Sequence, residues 1–202
     1  EWRIINAADY GMPQRRRRIM FMAYHKTSNT SNRLVKEENP INWITNSGIL
    51  ANAFKIKKQD EIKANNFSLE GDLADITEKF NKDKKNSPFE NAGVMIDRKV
   101  WTFKVHPDYS GLKKKLGDIV LPEEKISEEF FINKESLEKW NYQKGAKNET
   151  RLNKSKGVTY KYAEGKMVFP DPLDSPSRTI VTGEGGSSPS RFKHVIKTKS
   201  GK

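Results

Sequence analysis

The chain contains no cysteine. Disulfide bridges, zinc–thiolate sites and thiol chemistry are therefore excluded for these residues. Long apolar runs are also missing: no stretch approaches the roughly 20 apolar residues that a membrane-spanning helix needs, and no basic amphipathic helix is strong enough to anchor the chain to a membrane surface. Histidine is scarce, and His25, His106 and His194 lie too far apart to suggest a metal cluster. Internal repeats and a targeting signal are absent, and the sequence opens on a strand-like segment without an initiator Met, so it reads as a piece cut from something longer. Hydrophobic residues make up only 34% of the 202, and 38 Lys and Arg against 26 Asp and Glu leave a net charge of +12. A modest core carrying long solvated loops fits this composition. The expected partner is a polyanion, with nucleic acid favoured over a membrane.

Four of the arginines stand in one run. Tyr10-Gly-Met-Pro-Gln-Arg-Arg-Arg-Arg18 puts four guanidinium groups directly after a Gly-x-Pro-Gln turn. Its flanks, Trp2–Asn6 and Ile19–Tyr24, have the β-branched, aromatic and apolar content of sheet interiors. An ordinary polybasic tail lies in polar, flexible sequence; here the arginines sit at the mouth of a buried hairpin. Arginine suits a planar anion or base edge held in fixed geometry. A second cluster, Arg178-Thr-Ile-Val-Thr-Gly-Glu-Gly-Gly-Ser-Ser188 followed by Arg191 and Lys193, could bring backbone N–H groups close to phosphate. Bland readings stand beside both. The arginines also fit a solvated turn that keeps an edge strand soluble, and the glycines fit a plain hairpin turn. The runs Lys113–Lys115, Lys144–Lys147 and Arg151–Lys156 fit solvated loop faces as well as a track for a DNA backbone.

The pattern predicts many short strands, few short helices and long basic loops, an α+β fold rich in β. Residues 1–25 form a hairpin and 26–202 a second domain. Within the latter, a short helix is expected in Ile41–Phe54 and another near 71–82. Two strands should turn at Asp97-Arg98. Phe130–Ile132 reads as a strand, and Asn133 as the cap of a helix carrying Leu137 and Trp140. Lys144–Lys156 reads as a loop, Val158–Phe169 as a hairpin with its tip at Glu164-Gly165, and Arg178–Thr182 with Arg191–Ile196 as a last strand pair.

Tyr10, Gly11, Pro13, Gln14, Arg16 and Arg18, followed by an apolar strand, resemble the eighth sequence motif of DNA (cytosine-5)-methyltransferases. Ser175–Ile196 is similar to the end of the target-recognition region in a bacterial branch of that family. The resemblance implies that residues 1–25 belong to the edge of a Rossmann-like catalytic sheet and that 26–202 form the target-recognition domain. It implies that Gln14, Arg16 and Arg18 line the pocket for the flipped cytosine, with Arg15 and Arg17 facing outward. It also implies DNA contacts from Arg178, Thr179, Thr182, Gly183, Gly185, Gly186, Ser187 and Ser188, among which Thr179 matches the threonine beside the target base; composition adds Arg191 and Lys193 as expected phosphate ligands. The family attacks cytosine with a Cys thiolate and methylates it from S-adenosylmethionine. The Pro-Cys loop, the Glu-Asn-Val segment and the glycine-rich cofactor motif have no counterpart here. The expectation is a recognition fragment that binds double-stranded DNA and takes no S-adenosylmethionine or metal. Alone it would be inactive, and its partner would be the catalytic domain of the same polypeptide, in the bacterial cytoplasm at the nucleoid, as part of restriction–modification. The competing expectations are a stand-alone basic DNA-binding module and, behind it, an RNA-binding β-rich domain.

Overall fold

The computed structural model describes residues 1–181 and 183–201. It divides into two compact units: one contains Glu1–Gly11 and Arg16–Lys113, the other Met12–Arg15 and Lys114–Lys202. The fold is α+β with antiparallel sheets, as expected.

The first unit is built on five strands: β1 Trp2–Asn6, β2 Arg17–Phe21, β3 Asn65–Ser68, β4 Ala92–Ile96 and β5 Lys99–Phe103, in the order β2-β1-β4-β5-β3. The tight turn falls where expected, since Ile96 pairs with Lys99 and both Asp97 (φ 45°) and Arg98 (φ 65°) are left-handed. That is the geometry that matches strand twist in a two-residue hairpin. Helices α1 Asn29–Val35, α2 Pro40–Asn42 and α3 Ile49–Ala53 follow β2, with a wide turn at Trp43–Ser47 between the last two; α4 Leu73–Lys79 lies within the helix expected near 71–82. Leu34, Trp43, Ile44, Ala92, Val94, Phe103 and Val105 form the apolar core.

Buried Arg3 joins the sheet to the helices. Its guanidinium donates to the carbonyls of Phe54 (2.7 Å), Leu50 (3.2 Å) and Ile44, which are main-chain acceptors at and around α3. Cationic donors are favoured at such carbonyl ends. Gly93 leaves room for the Trp2 ring, which a Cβ there would strike.

The N-terminal hairpin is buried on one strand only, where Trp2, Arg3 and Ile5 of β1 face the interior. All five residues of β2 are exposed, Phe21 to 70%, with Ile4 and Ile19 beside it. Among the described residues β2 pairs only with β1, so its apolar character belongs to an uncovered edge.

The second unit has little regular structure: α5 Leu137–Lys144, β6 Lys147–Asn153, β7 Val158–Glu164 and several single 3-10 turns. Asn133 caps the turn leading into α5, accepting from the Ser136 N–H at 2.8 Å. Three expectations fail here. Phe130–Ile132 is no strand; Glu128–Phe130 is a 3-10 turn. Lys147–Asn153 is a strand, not a loop, and it pairs with Val158–Glu164, so the hairpin tip lies at 154–157 rather than at Glu164-Gly165. Asn153 makes that turn: its Oδ1 accepts from the Ser155 N–H and hydroxyl, and Gly157 closes it at φ +65°. The expected pair 178–182 with 191–196 forms no strands among the described residues. Asp171 replaces that ladder, exchanging main-chain and side-chain bonds with Val195 (2.6 and 2.9 Å).

Candidate nucleic-acid interface

The arginine motif begins on a turn assembled from distant sequence. Ala7–Tyr10 form a 3-10 turn that ends at Gly11, left-handed at φ +90°. A Cβ on Gly11 would sit 2.6 Å from the Tyr109 hydroxyl and 2.7 Å from the Leu112 carbonyl. The Tyr10 ring meets Phe54 and Tyr109 edge-on, at 5.2 and 6.3 Å, and its hydroxyl donates to the Lys55 carbonyl at 3.2 Å. Tyr109 was invisible to motif reasoning because it lies about a hundred residues from the turn it supports.

The next residues are stitched to the segment around Ser177. Ser177 N–H donates to the Pro13 carbonyl (2.7 Å), and Arg15 N–H to the Ser177 carbonyl (2.8 Å), which makes a parallel bridge at Gln14. The Thr179 hydroxyl donates to the Arg15 carbonyl at 2.5 Å. Gln14 and Thr179, both expected site residues, are thus brought together with Ser177. Thr179 contacts protein main chain rather than presenting a free hydroxyl.

Arg16 and Arg18 follow in the first unit, where the Arg16 carbonyl accepts from the Ala7 N–H at 3.0 Å. Arg15, Arg16, Arg17 and Arg18 are all exposed. Among the described residues the side chains of Arg16 and Arg18 have no ion pair, and Arg18 donates only to its neighbour's carbonyl.

The C-terminal cations behave in the opposite way. Arg178 grips Asp171 through two bonds, Nε to Oδ1 (2.7 Å) and Nη2 to Oδ2 (3.1 Å), and reaches the Lys193 carbonyl at 3.2 Å. Asp171 is 3% exposed. Burial alone would raise its carboxyl, but the Arg178 bonds and the Val195 N–H outweigh it and hold the group below its ordinary value. Arg191 donates to the carbonyls of Gly165 (2.6 Å), Gln143 and Gly145 and pairs with Glu164. Lys193 donates to Ser188 Oγ (2.8 Å), Ser188 O (3.0 Å) and Gly186 O (3.4 Å). Lys144, 2% exposed, donates to the carbonyls of Arg191 and Lys193. Burial, with the Arg178 charge adding to it, keeps the Lys144 ammonium below the usual lysine range.

These inward-facing donors shape the glycine loop. Gly183, Gly185 and Gly186 have φ of +89°, +93° and +66°; Ser187 and Ser188 are exposed. Thr182 lies outside the described residues. Glu184 holds the loop from the other side, accepting from His194 N–H (3.0 Å) and contacting Nδ1 (2.9 Å). Among the described residues the loop neither follows a strand nor opens a helix.

Exposed guanidinium groups beside a bonded turn, in a chain of net charge +12, suit a polyanionic ligand. Comparison with known proteins gives the class. Residues 1–187 match the family model of C-5 cytosine-specific DNA methylases, and the chain belongs to that family, which methylates with S-adenosylmethionine. The chain is similar to the type II methyltransferase M.Sau3AI of Staphylococcus aureus, with 34% identity over 198 residues, 97% of this chain and 45% of that protein. It therefore spans less than half the length of the curated relative it matches. No solved structure matches it.

Proposed function

We propose that this chain is the DNA-recognition part of a DNA (cytosine-5)-methyltransferase of the restriction–modification type, and that it supplies the side chains that hold the target cytosine outside the duplex. The observation that carries the reading is the state of Arg16 and Arg18. Both are exposed and unpaired among the described residues, and they follow a turn whose main chain is bonded at Pro13 and Arg15. Methylation at a ring carbon requires the base to leave the stack, and the everted base then needs donors for its polar edge. Gln14, Arg16 and Arg18 meet that need at the ring oxygen and the adjacent phosphate.

The glycine loop faces the duplex through Gly183, Gly185 and Gly186 N–H groups and the hydroxyls of Ser187 and Ser188. Arg178, Arg191, Lys193 and Thr179 serve the same surface by holding its main chain. S-adenosylmethionine supplies the methyl group. The thiolate that must add to the base comes from elsewhere in the polypeptide, because these residues include no cysteine. Residues 1–25 are the part that meets that catalytic domain: exposed Ile19, Met20 and Phe21 on an edge strand support a continuing sheet. Residues 26–202 form the recognition domain. On this reading the chain alone binds no cofactor and transfers no methyl group, and the complete enzyme works at the bacterial nucleoid.

Methyl transfer and duplex affinity, measured separately for the longer polypeptide, test the assignment. Arg18→Ala should lower turnover by about a hundredfold, the scale of losing one preorganised donor, with duplex affinity within a few-fold of wild type. A proportional fall in both would remove the pocket role.

A further inference from the structure

The ribbon of β6 and β7 has two faces of opposite character. On one, Lys147, Glu149 and Arg151 lie across from Glu164, Tyr162 and Tyr160. There the charges are satisfied internally. Lys147 pairs with Glu164 at 3.0 Å and Arg151 with Glu149 at 2.6 Å, and the Arg151 guanidinium stacks 3.4 Å from the Tyr162 ring centroid. On the other face Asn148, Thr150 and Leu152 lie across from Ala163, Lys161 and Thr159. All six are exposed, none is a carboxylate, and among the described residues their side chains make no hydrogen bond or ion pair. The tip adds Lys154 and Lys156, both exposed.

We infer that this open face of β6–β7 enters the DNA major groove and reads base edges there, with Asn148, Thr150 and Lys161 as the selecting residues. The inference rests on the DNA-recognition reading above and says which element does the selecting. The major groove admits a two-stranded ribbon, and the residue types match its code: Asn to adenine, Lys to guanine, and Thr, Ala or Leu carbons to the thymine methyl. From Asn148 to Lys161 and Leu152 the face runs roughly 14 Å along the strands, the rise of a few base pairs. The absence of carboxylates lets the face approach phosphates without repulsion, and Lys154 and Lys156 at the tip supply backbone contacts that carry no sequence information.

Selection of the full chain against a pool of duplexes carrying a randomised window tests this. The wild-type chain should enrich one motif. Asn148→Ala/Thr150→Ala/Lys161→Ala should bind random duplex within about threefold of wild type but lose about tenfold or more of its preference for the motif, the scale of a base-pair contact. Tyr160→Ala, an exposed change on the opposite face, should keep the preference. If the triple variant fails to fold, Lys161→Gln alone should relax the motif at one position, and an unaltered motif there overturns the inference. A folded triple variant that enriches the same motif with the same selectivity also overturns it, leaving the broader reading standing. A wild-type chain that enriches no motif overturns both.

Discussion

Each of the two compact units is built on its own chemistry. The first buries Trp43, Ile44, Val94 and Phe103 and displays its motif arginines; the second buries Lys144, Asp171 and Lys193 alongside Leu116 and Trp140. The same residue type therefore has two uses. Arg16 and Arg18 make no ion pair among the described residues, and Arg18 reaches only the adjacent Arg17 carbonyl. Arg178 and Arg191 have their donors occupied by a carboxylate and main-chain carbonyls. A basic composition alone does not distinguish these cases; the position of an acceptor does. Asp171 and Glu164 turn positive charge into a framework.

The largest expected effect separates the two cores. Asp171→Ala strands a half-buried guanidinium and should cost the second unit about 3–5 kcal/mol. Phe103→Ala should cost the first unit a similar amount, about 3–5 kcal/mol, through its cavity. Site-resolved hydrogen exchange reads the two units separately: the Asp171 change should lower protection in β6–β7 and spare β4–β5, and the Phe103 change should do the reverse. Equal losses in both units for either change would mean that the two cores do not act independently.

Acid should act on the second unit first. The folded Asp171 carboxyl titrates below its ordinary value of 3.8, so its contribution is fully present above that value. It is lost as pH falls through the lower folded value, where protonation breaks the Arg178 pair. Unfolding followed by tryptophan and amide signals between pH 5 and 2 should show Val195 and its neighbours losing protection before the β4–β5 ladder; the opposite order would assign the acid sensitivity elsewhere. A smaller effect is expected at Thr179. Thr179→Val removes the donor to the Arg15 carbonyl and should cost about 1 kcal/mol of local stability. In the longer enzyme it should lower turnover without a selective loss for the cognate site. A loss confined to the cognate duplex would return Thr179 to direct DNA contact.

Sequence patterns were informative where local chemistry decided the structure. The alternation in Lys99–Phe103 and the Asp97-Arg98 turn placed β4 and β5, and Leu73, Ile76 and Phe80 placed α4. The spelling Gly11-x-Pro-Gln-x-Arg-x-Arg18 marked the family before any geometry. The ribbon was missed because the charged and polar residues of 144–156 resemble a loop, although Asn153 and Gly157 carried the turn signal that places its tip. Arg191–Ile196 looked like a strand because Phe192 and His194 alternate with charged neighbours, but Asp171 draws Val195 into a side-chain network instead. The inward use of Arg178, Arg191 and Lys193 was hidden for a related reason: their partners are carbonyls and distant acids, which spacing along the chain does not reveal.

Urea unfolding of three single variants of the chain tests the division between open and committed arginines most directly. Arg16→Ala and Arg18→Ala should change stability by less than about 0.5 kcal/mol, the scale of exposed substitutions. Arg178→Ala, which leaves Asp171 buried without its partner, should lose about 3–5 kcal/mol. Comparable losses at all three positions, or an Arg178 variant as stable as wild type, would contradict the account.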